Sequence, residues 1–218
     1  MKKFYFAGRP VCAAVPAGAR DAVWLCAEPE DAEAVLERLP DVPFALFSVG
    51  GADWNRDYSP WPAPRAFHGG TDFAGGGPAF LSQLTGAIVP QAEAACGLVP
   101  ERRALAGYSL AGLFAVWALT GTALFSRAAS VSGSMWYDGF SGYLAEAPLP
   151  GAPDFVYFSL GTREAESRSP RLSLVEARTE QCAALLASRC VRTVFEHNPG
   201  GHFDDPNGRL ARGISALF

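Results

Sequence analysis

The sequence has no basic run longer than the pairs Lys2-Lys3 and Arg102-Arg103, and its formal net charge is −4 over 218 residues. It therefore offers no electrostatic footprint for nucleic acid or for an anionic membrane surface. No stretch approaches the roughly 20 uninterrupted apolar residues of a membrane-spanning helix. The five cysteines, Cys12, Cys26, Cys96, Cys182 and Cys190, include no C-x-x-C pair, and their number is odd. Neither a disulfide framework nor a zinc cluster is expected. Several of them fall in apolar segments and read as small core residues, which points to a reducing compartment, the cytoplasm. The start imitates a secretion signal, Met1-Lys2-Lys3 followed by Phe4 to Ala7, but Arg9 and Pro10 break it short of the about 7–15 apolar residues needed. Internal repeats and low-complexity linkers are also missing. Histidine is scarce, with His68, His197 and His202 alone.

The remaining composition is that of a globular chain, with 49% hydrophobic and 18% charged residues. The length suits one domain, 1–218, with a full core. Apolar runs alternate with amphipathic segments. Strands are expected at Ala22 to Ala27, Pro43 to Val49, Arg103 to Ala106, Ala128 to Val131, Phe155 to Leu160 and Val191 to Glu196. Helices are expected at Glu30 to Leu39, Ala79 to Cys96, Leu110 to Leu119, Leu172 to Ser188 and Gly208 to Phe218. This alternation implies an α/β fold with a mostly parallel central sheet and helices on both faces. Such sheets carry their chemistry at the carboxyl ends of the strands. One long irregular stretch, Ala52 to Pro78, is rich in Gly, Pro, Trp and Asp, and reads as a functional segment or a cap over a site.

The sharpest motif is Gly107-Tyr108-Ser109-Leu110-Ala111-Gly112, between a short apolar strand and an apolar helix. It matches the G-x-S-x-G nucleophile elbow, with Ala111 in place of the last glycine. A tight strand-to-helix bend strains the backbone of the central residue and leaves room only for small neighbours. It presents the Ser109 hydroxyl at a helix start, where the dipole favours developing negative charge. The alternative is that Ser109 merely caps that helix.

A hydroxyl needs a base. Only His202 lies beyond the last strand, in Asn198-Pro199-Gly200-Gly201-His202-Phe203, where the order Ser, acid, His puts one. His197 reads as a structural hydrogen-bonding residue, and His68 as a possible pocket residue. The acid is expected after the strand Phe155 to Leu160, in Gly161-Thr162-Arg163-Glu164-Ala165-Glu166. Glu164 is nearest the strand end and is the choice; Glu166 is the alternative, and Asp138 a weaker one. The Leu110 N–H is expected as one oxyanion donor and Gly51, after an early strand, as the other. Tyr58, Trp61, Trp136 and Tyr137 are expected to contact substrate, with Trp54, Phe67 and Phe73 completing an aromatic wall. A metal site built on His197, His202, Asp204 and Asp205 matches no compact spacing and would leave the elbow unexplained.

Four motifs occur together and in order: Gly-Tyr-Ser-Leu-Ala-Gly-Leu-Phe at 107–114, Ser-Gly-Ser-Met-Trp-Tyr at 132–137, Ser-Leu-Gly-Thr-Arg-Glu at 159–164 and Asn-Pro-Gly-Gly-His-Phe at 198–203. Together they resemble the putative esterase family of α/β hydrolases, which includes esterase D-like enzymes and enterochelin esterases. Asp57-Tyr58-Ser59-Pro60-Trp61 adds a weaker match. The resemblance implies the α/β-hydrolase fold, an ester substrate and no cofactor or metal. It carries the nucleophile onto Ser109, the base onto His202 and the acid onto Glu164, where many relatives have Asp.

The expected function is a serine hydrolase that cleaves a small-molecule carboxylic ester through an acyl-enzyme intermediate. Two alternatives use the same fold: an acyltransferase on the same site, and a catalytically silent binding module. Oligomeric state is not legible in the sequence.

Overall fold

The computed structural model describes residues 1–40, 43–66 and 69–218. The chain opens with a hairpin, β1 (Lys2–Phe6) and β2 (Arg9–Ala14), turned by Ala7 and Gly8, both at positive φ (48° and 78°). That pairing of φ values matches the twist of the strands it joins. Then follow β3 (Asp21–Cys26), helix α1 (Pro29–Leu36) and β4 (Phe44–Val49). Every residue of β3 and β4 is buried. Their sequences, Asp-Ala-Val-Trp-Leu-Cys and Phe-Ala-Leu-Phe-Ser-Val, do not alternate, because helices cover both faces of the sheet.

The irregular stretch holds a short helix α2 (Trp54–Asp57) and a small ribbon of β5 (Pro62–Ala63) against β6 (Phe73–Ala74). The helix expected at Ala79 to Cys96 begins earlier and is interrupted: α3 (Gly77–Gln83), a π-helical turn Leu84–Ile88, then α4 (Val89–Ala95). Pro90 has no N–H to donate one turn back, and the wider turn before it relieves the clash of its ring.

The second half alternates regularly: β7 (Arg102–Tyr108), α5 (Leu110–Gly121), β8 (Arg127–Val131), α6 (Phe140–Glu146), β9 (Phe155–Gly161), α7 (Val175–Ser188), β10 (Arg192–Asn198) and α8 (Pro206–Ser215). The eight long strands form one sheet in the order β1-β2-β4-β3-β7-β8-β9-β10. From β4 to β10 all pairings are parallel; the hairpin adds the antiparallel edge. This is the α/β fold expected, a mostly parallel sheet between helical layers. The edge hairpin and helix α6 are elements the sequence reading did not contain.

One core face packs Trp24, Phe47 and Leu105 against α5, α4 and α7; the other packs Val23, Leu25 and Ala106 against Val35 of α1 and Ile214 of α8. Helix α5 is buried on every side from Leu110 to Thr120, as its unbroken apolar sequence requires. Parallel strands end on one side of the sheet. The loops after β4, β7, β8, β9 and β10 therefore gather there. Among the described residues no helix is long and apolar enough to cross a membrane.

Candidate active site

The turn from β7 into α5 places Ser109 at φ 56°, ψ −120°, a strained backbone for a residue with a side chain. The bend is possible because position 107 is glycine: a Cβ there would lie 2.4 Å from the Ala111 carbonyl. The serine is held from both sides. Its N–H donates to Val131 O at 3.0 Å, and Ser134 N–H donates to Ser109 O at 3.0 Å.

Ser109 Oγ lies 3.0 Å from His202 Nε2, and His202 Nδ1 lies 2.7 Å from Glu164 Oε2. The three come from the ends of β7, β10 and β9. Glu164 is buried, and its other oxygen accepts from Gly161 N–H at 2.6 Å and Ser132 Oγ–H at 2.7 Å. Burial pushes the Glu164 carboxyl up, but the hydrogen bonds from His202, Gly161 and Ser132 outweigh it and hold the group below its ordinary value. An ionised Glu164 can only accept, so Nδ1 carries the proton and Nε2 is left as the acceptor facing Ser109.

The loops bearing acid and base are joined beyond the strand ends. Thr162 N–H donates to Asn198 O at 2.8 Å and Arg163 N–H to Gly200 O at 3.0 Å. Gly200, at φ 100°, leaves room for the Asp204 carboxylate, which accepts Gly201 N–H at 2.7 Å. Tyr108 of the elbow donates its hydroxyl to the His202 carbonyl at 2.6 Å.

The other candidate acids and histidines stand elsewhere. Glu166 is exposed on the loop, and Asp138 pairs with Arg171 at 3.0 Å. His197 pairs with Glu176 at 2.7 Å on the surface, Asp204 with Arg163 at 3.1 Å, and Asp205 caps α8 through Gly208 N–H at 3.2 Å. Phe67 and His68 lie outside the described residues.

A cavity of about 390 Å³ opens over Ser109. Trp54, Phe73, Trp136, Leu172 and Val175 wall it, Ser134 and His202 reach into it, and Arg65 and Phe203 stand at its lining. Trp136 is thus where the sequence reading expects it. Tyr58, Trp61 and Tyr137 are not; they form the layer behind. Tyr58 is buried against Trp54, Phe80 and Phe114, and Tyr137 donates its hydroxyl to Trp61 O at 2.6 Å. Trp61 Nε1–H is spent on Asp138 O at 3.1 Å.

The oxyanion expectation needs one correction. Leu110 N–H starts α5 beside Ser109 and has no acceptor among the described residues. Gly51 N–H, however, donates to Glu28 Oε1 at 2.8 Å, and Gly51 does not line the cavity. A carboxylate one strand away has captured the donor. Among the described residues, the backbone N–H groups of Trp54 and Asn55, in the first turn of α2 and in the cavity lining, have no acceptor.

Other groups at the site had no signal of their own in the sequence. Ser132 sits inside a quoted motif, yet its hydroxyl's role in holding Glu164 depends on the positive φ of 48° that aims it. Arg171 lies over the outer face of Trp136, 5.0 Å from its centroid, and donates to Pro64 O at 2.6 Å. It ties the irregular stretch to the loop after β9.

A family model described as putative esterase matches residues 32–203 of this chain. The uncharacterized protein YbbA of Bacillus subtilis (strain 168) is 31% identical over 137 residues, covering 61% of this chain and 53% of that protein. The match thus spans about half the length of that curated relative. An IroE-like serine hydrolase from Shewanella oneidensis superposes with TM-score 0.77 at 18% identity, over 95% of this chain and 75% of that one. The siderophore hydrolase EstA from Aspergillus nidulans does so with TM-score 0.69 at 20% identity, over 94% and 88%.

Proposed function

The chain belongs to the putative esterase family, and from that premise we propose that it is a serine esterase working through Ser109, His202 and Glu164. The observation that carries this is the unbroken line of hydrogen bonds from a strained serine to an imidazole to a buried carboxylate. His202 Nε2 takes the Ser109 proton as Oγ attacks the ester carbonyl. The tetrahedral oxyanion is held by Leu110 N–H and by the backbone donors of the Trp54–Asn55 wall. His202 then gives its proton to the departing alcohol, leaving an acyl-serine. Water, deprotonated by the same imidazole, attacks the acyl-serine, and His202 returns that proton to Ser109 Oγ as the acid leaves. Glu164 stays ionised and steadies the imidazolium formed in each half.

The apolar walls of the cavity favour an ester with an apolar or aromatic part of modest size. The two structural neighbours, an IroE-like serine hydrolase and a siderophore hydrolase, are of the same hydrolytic class. We read residues 1–218 as one catalytic domain. The five unpaired cysteines favour the cytoplasm.

A panel of short acyl, aryl and siderophore esters tests the reading. Ser109→Ala should lower p-nitrophenyl ester hydrolysis by about 10⁴-fold or more. It should also abolish labelling by a fluorophosphonate probe. A folded parent that neither hydrolyses nor labels would be the silent module. Transfer to an added alcohol in preference to water would make it an acyltransferase.

A further inference from the structure

Arg209 lies in the first turns of α8 and is 2% exposed, a depth at which arginine is rarely found unpaired. Its Nη1 stands 3.3 Å from Glu164 Oε1, 3.2 Å from Ser132 Oγ and 3.5 Å from Tyr108 Oη. Its Nη2–H donates to Pro199 O at 2.7 Å, in the loop that carries His202. Gly161 makes the space: a Cβ there would come within 3.0 Å of both terminal nitrogens. The neighbours of Arg209 on α8, Leu210 and Ile214, pack as plain apolar residues. A leucine at 209 would serve packing as well and would avoid burying a charge.

We propose that Arg209 is a positioning residue of the esterase site, acting through Glu164 and through the loop of His202. This rests on the triad reading above. A guanidinium beside a buried carboxylate favours its ionised form. It also completes a set of three donors on Oε1, which leaves Oε2 as the oxygen that meets Nδ1. The second arm of the fork fixes the Pro199 carbonyl, and with it the distance between base and nucleophile. A fork can do both at once; an ammonium cannot. The other titratable or charged groups near this cluster are Tyr108 from β7, the Asp204–Arg163 pair on the two loops, Asp205 at the start of α8, Arg212 one turn on, and Tyr157 with Glu196 on β9 and β10.

The test uses p-nitrophenyl ester kinetics in the parent and in the Glu164→Gln background. In the parent, Arg209→Met should lower kcat by about 100-fold with KM within about threefold, the size expected for a group acting through the general base. Removing a positive charge raises the proton affinity of the coupled Glu164–His202 pair, and the working enzyme needs that pair to hold one proton, on Nδ1, with Nε2 free. The acid limb of the kcat/KM profile should therefore move to higher pH by about one unit. Arg209→Lys should return the limb to its parental place while recovering only part of kcat. In Glu164→Gln, either substitution should cost clearly less than in the parent, because the arm through Glu164 is gone and only the hold on the Pro199 carbonyl remains.

Equal losses in both backgrounds with an unmoved limb would make Arg209 a packing residue and overturn the proposal. If Arg209→Met does not fold, Arg209→Lys decides in its place: a roughly tenfold loss of kcat in the parent but not in Glu164→Gln supports it, and equal losses overturn it. A parent that hydrolyses esters and labels at Ser109, yet tolerates both substitutions, refutes the role of Arg209 alone. A folded parent that does neither refutes the triad reading and this proposal together.

Discussion

Glu164 uses its two oxygens differently, and that division decides what its loss does. Oε1 is held by protein donors and Oε2 faces the imidazole. Glu164→Gln keeps the shape but puts an amide where Nδ1–H expects an acceptor, so kcat should fall by about 10⁴-fold with KM little changed. The same substitution has a consequence for stability. The carboxyl is held below its ordinary 4.5 in the fold, so its stabilisation is fully present above that value. It is lost as pH falls through the lower, folded value. Urea unfolding should show the parent losing stability on acidification below 4.5 more steeply than Glu164→Gln; parallel curves would contradict this. Phe203 is the opposite case, 83% exposed and packed edge-on against the His202 ring at 5.0 Å. Phe203→Ala should leave the melting temperature in place but lower kcat/KM for aryl esters about fivefold relative to acetates, the worth of one aromatic contact. The sequence pointed to Ser109, His202 and Glu164 because each sits where strand, glycine and polar residue coincide. It did not point to Arg209, since an arginine on an amphipathic helix normally faces water, and only the packing of α8 against β7 to β9 turns it inward.

Among the elements, the elbow is the one whose geometry was most nearly written in residue size. Gly107 must be glycine because the first turn of α5 folds back onto it. Gly107→Ala should abolish activity and leave little soluble protein, as read from expression and from near-UV circular dichroism of what remains; an active, well-folded variant would mean that the bend is looser than described. The strands after it were legible as apolar runs closed by glycine or polar residues, off by one or two positions at their ends. The N-terminal hairpin was not legible. Its first strand alternates in burial, with Phe4 and Phe6 turned toward the core, but the exposed Tyr5 between them hides the alternation in the sequence, and its lysines and phenylalanines imitate the head of a leader peptide. The aromatics of Ala52 to Pro78 were legible as a group but not individually: α2 and the ribbon turn Trp54 and Phe73 to the cavity and Tyr58 and Trp61 away from it.

At the scale of the molecule, the hairpin and the cavity prove to be connected. Arg9 of β2 pairs with the buried Asp57 at 2.7 Å, donates to the Gly51 carbonyl and lies over Phe80. Asp57 in turn accepts Asp53 N–H at 3.0 Å, which sets the start of α2 and so the Trp54–Asn55 wall. Burial pushes the Asp57 carboxyl up, but Arg56 and Arg9 more than offset it, holding the group below its ordinary range. Arg9→Met would leave the Asp57 charge to Arg56 and to Asp53 N–H alone and should cost about 1.5–3 kcal/mol in urea unfolding, the worth of a hydrogen bond to a charged group. It should also raise KM more than it lowers kcat, because the wall shifts while Ser109 and His202 do not. An unchanged KM would mean that the wall holds itself. The site is likewise closed from the far end of the chain, by the His202 loop and the helix bearing Arg209. During synthesis Ser109 leaves the ribosome 93 residues ahead of His202. A nascent or prematurely terminated chain can therefore carry the bent serine with no imidazole beside it, and on the proposed mechanism it would stay inert until translation has delivered α8.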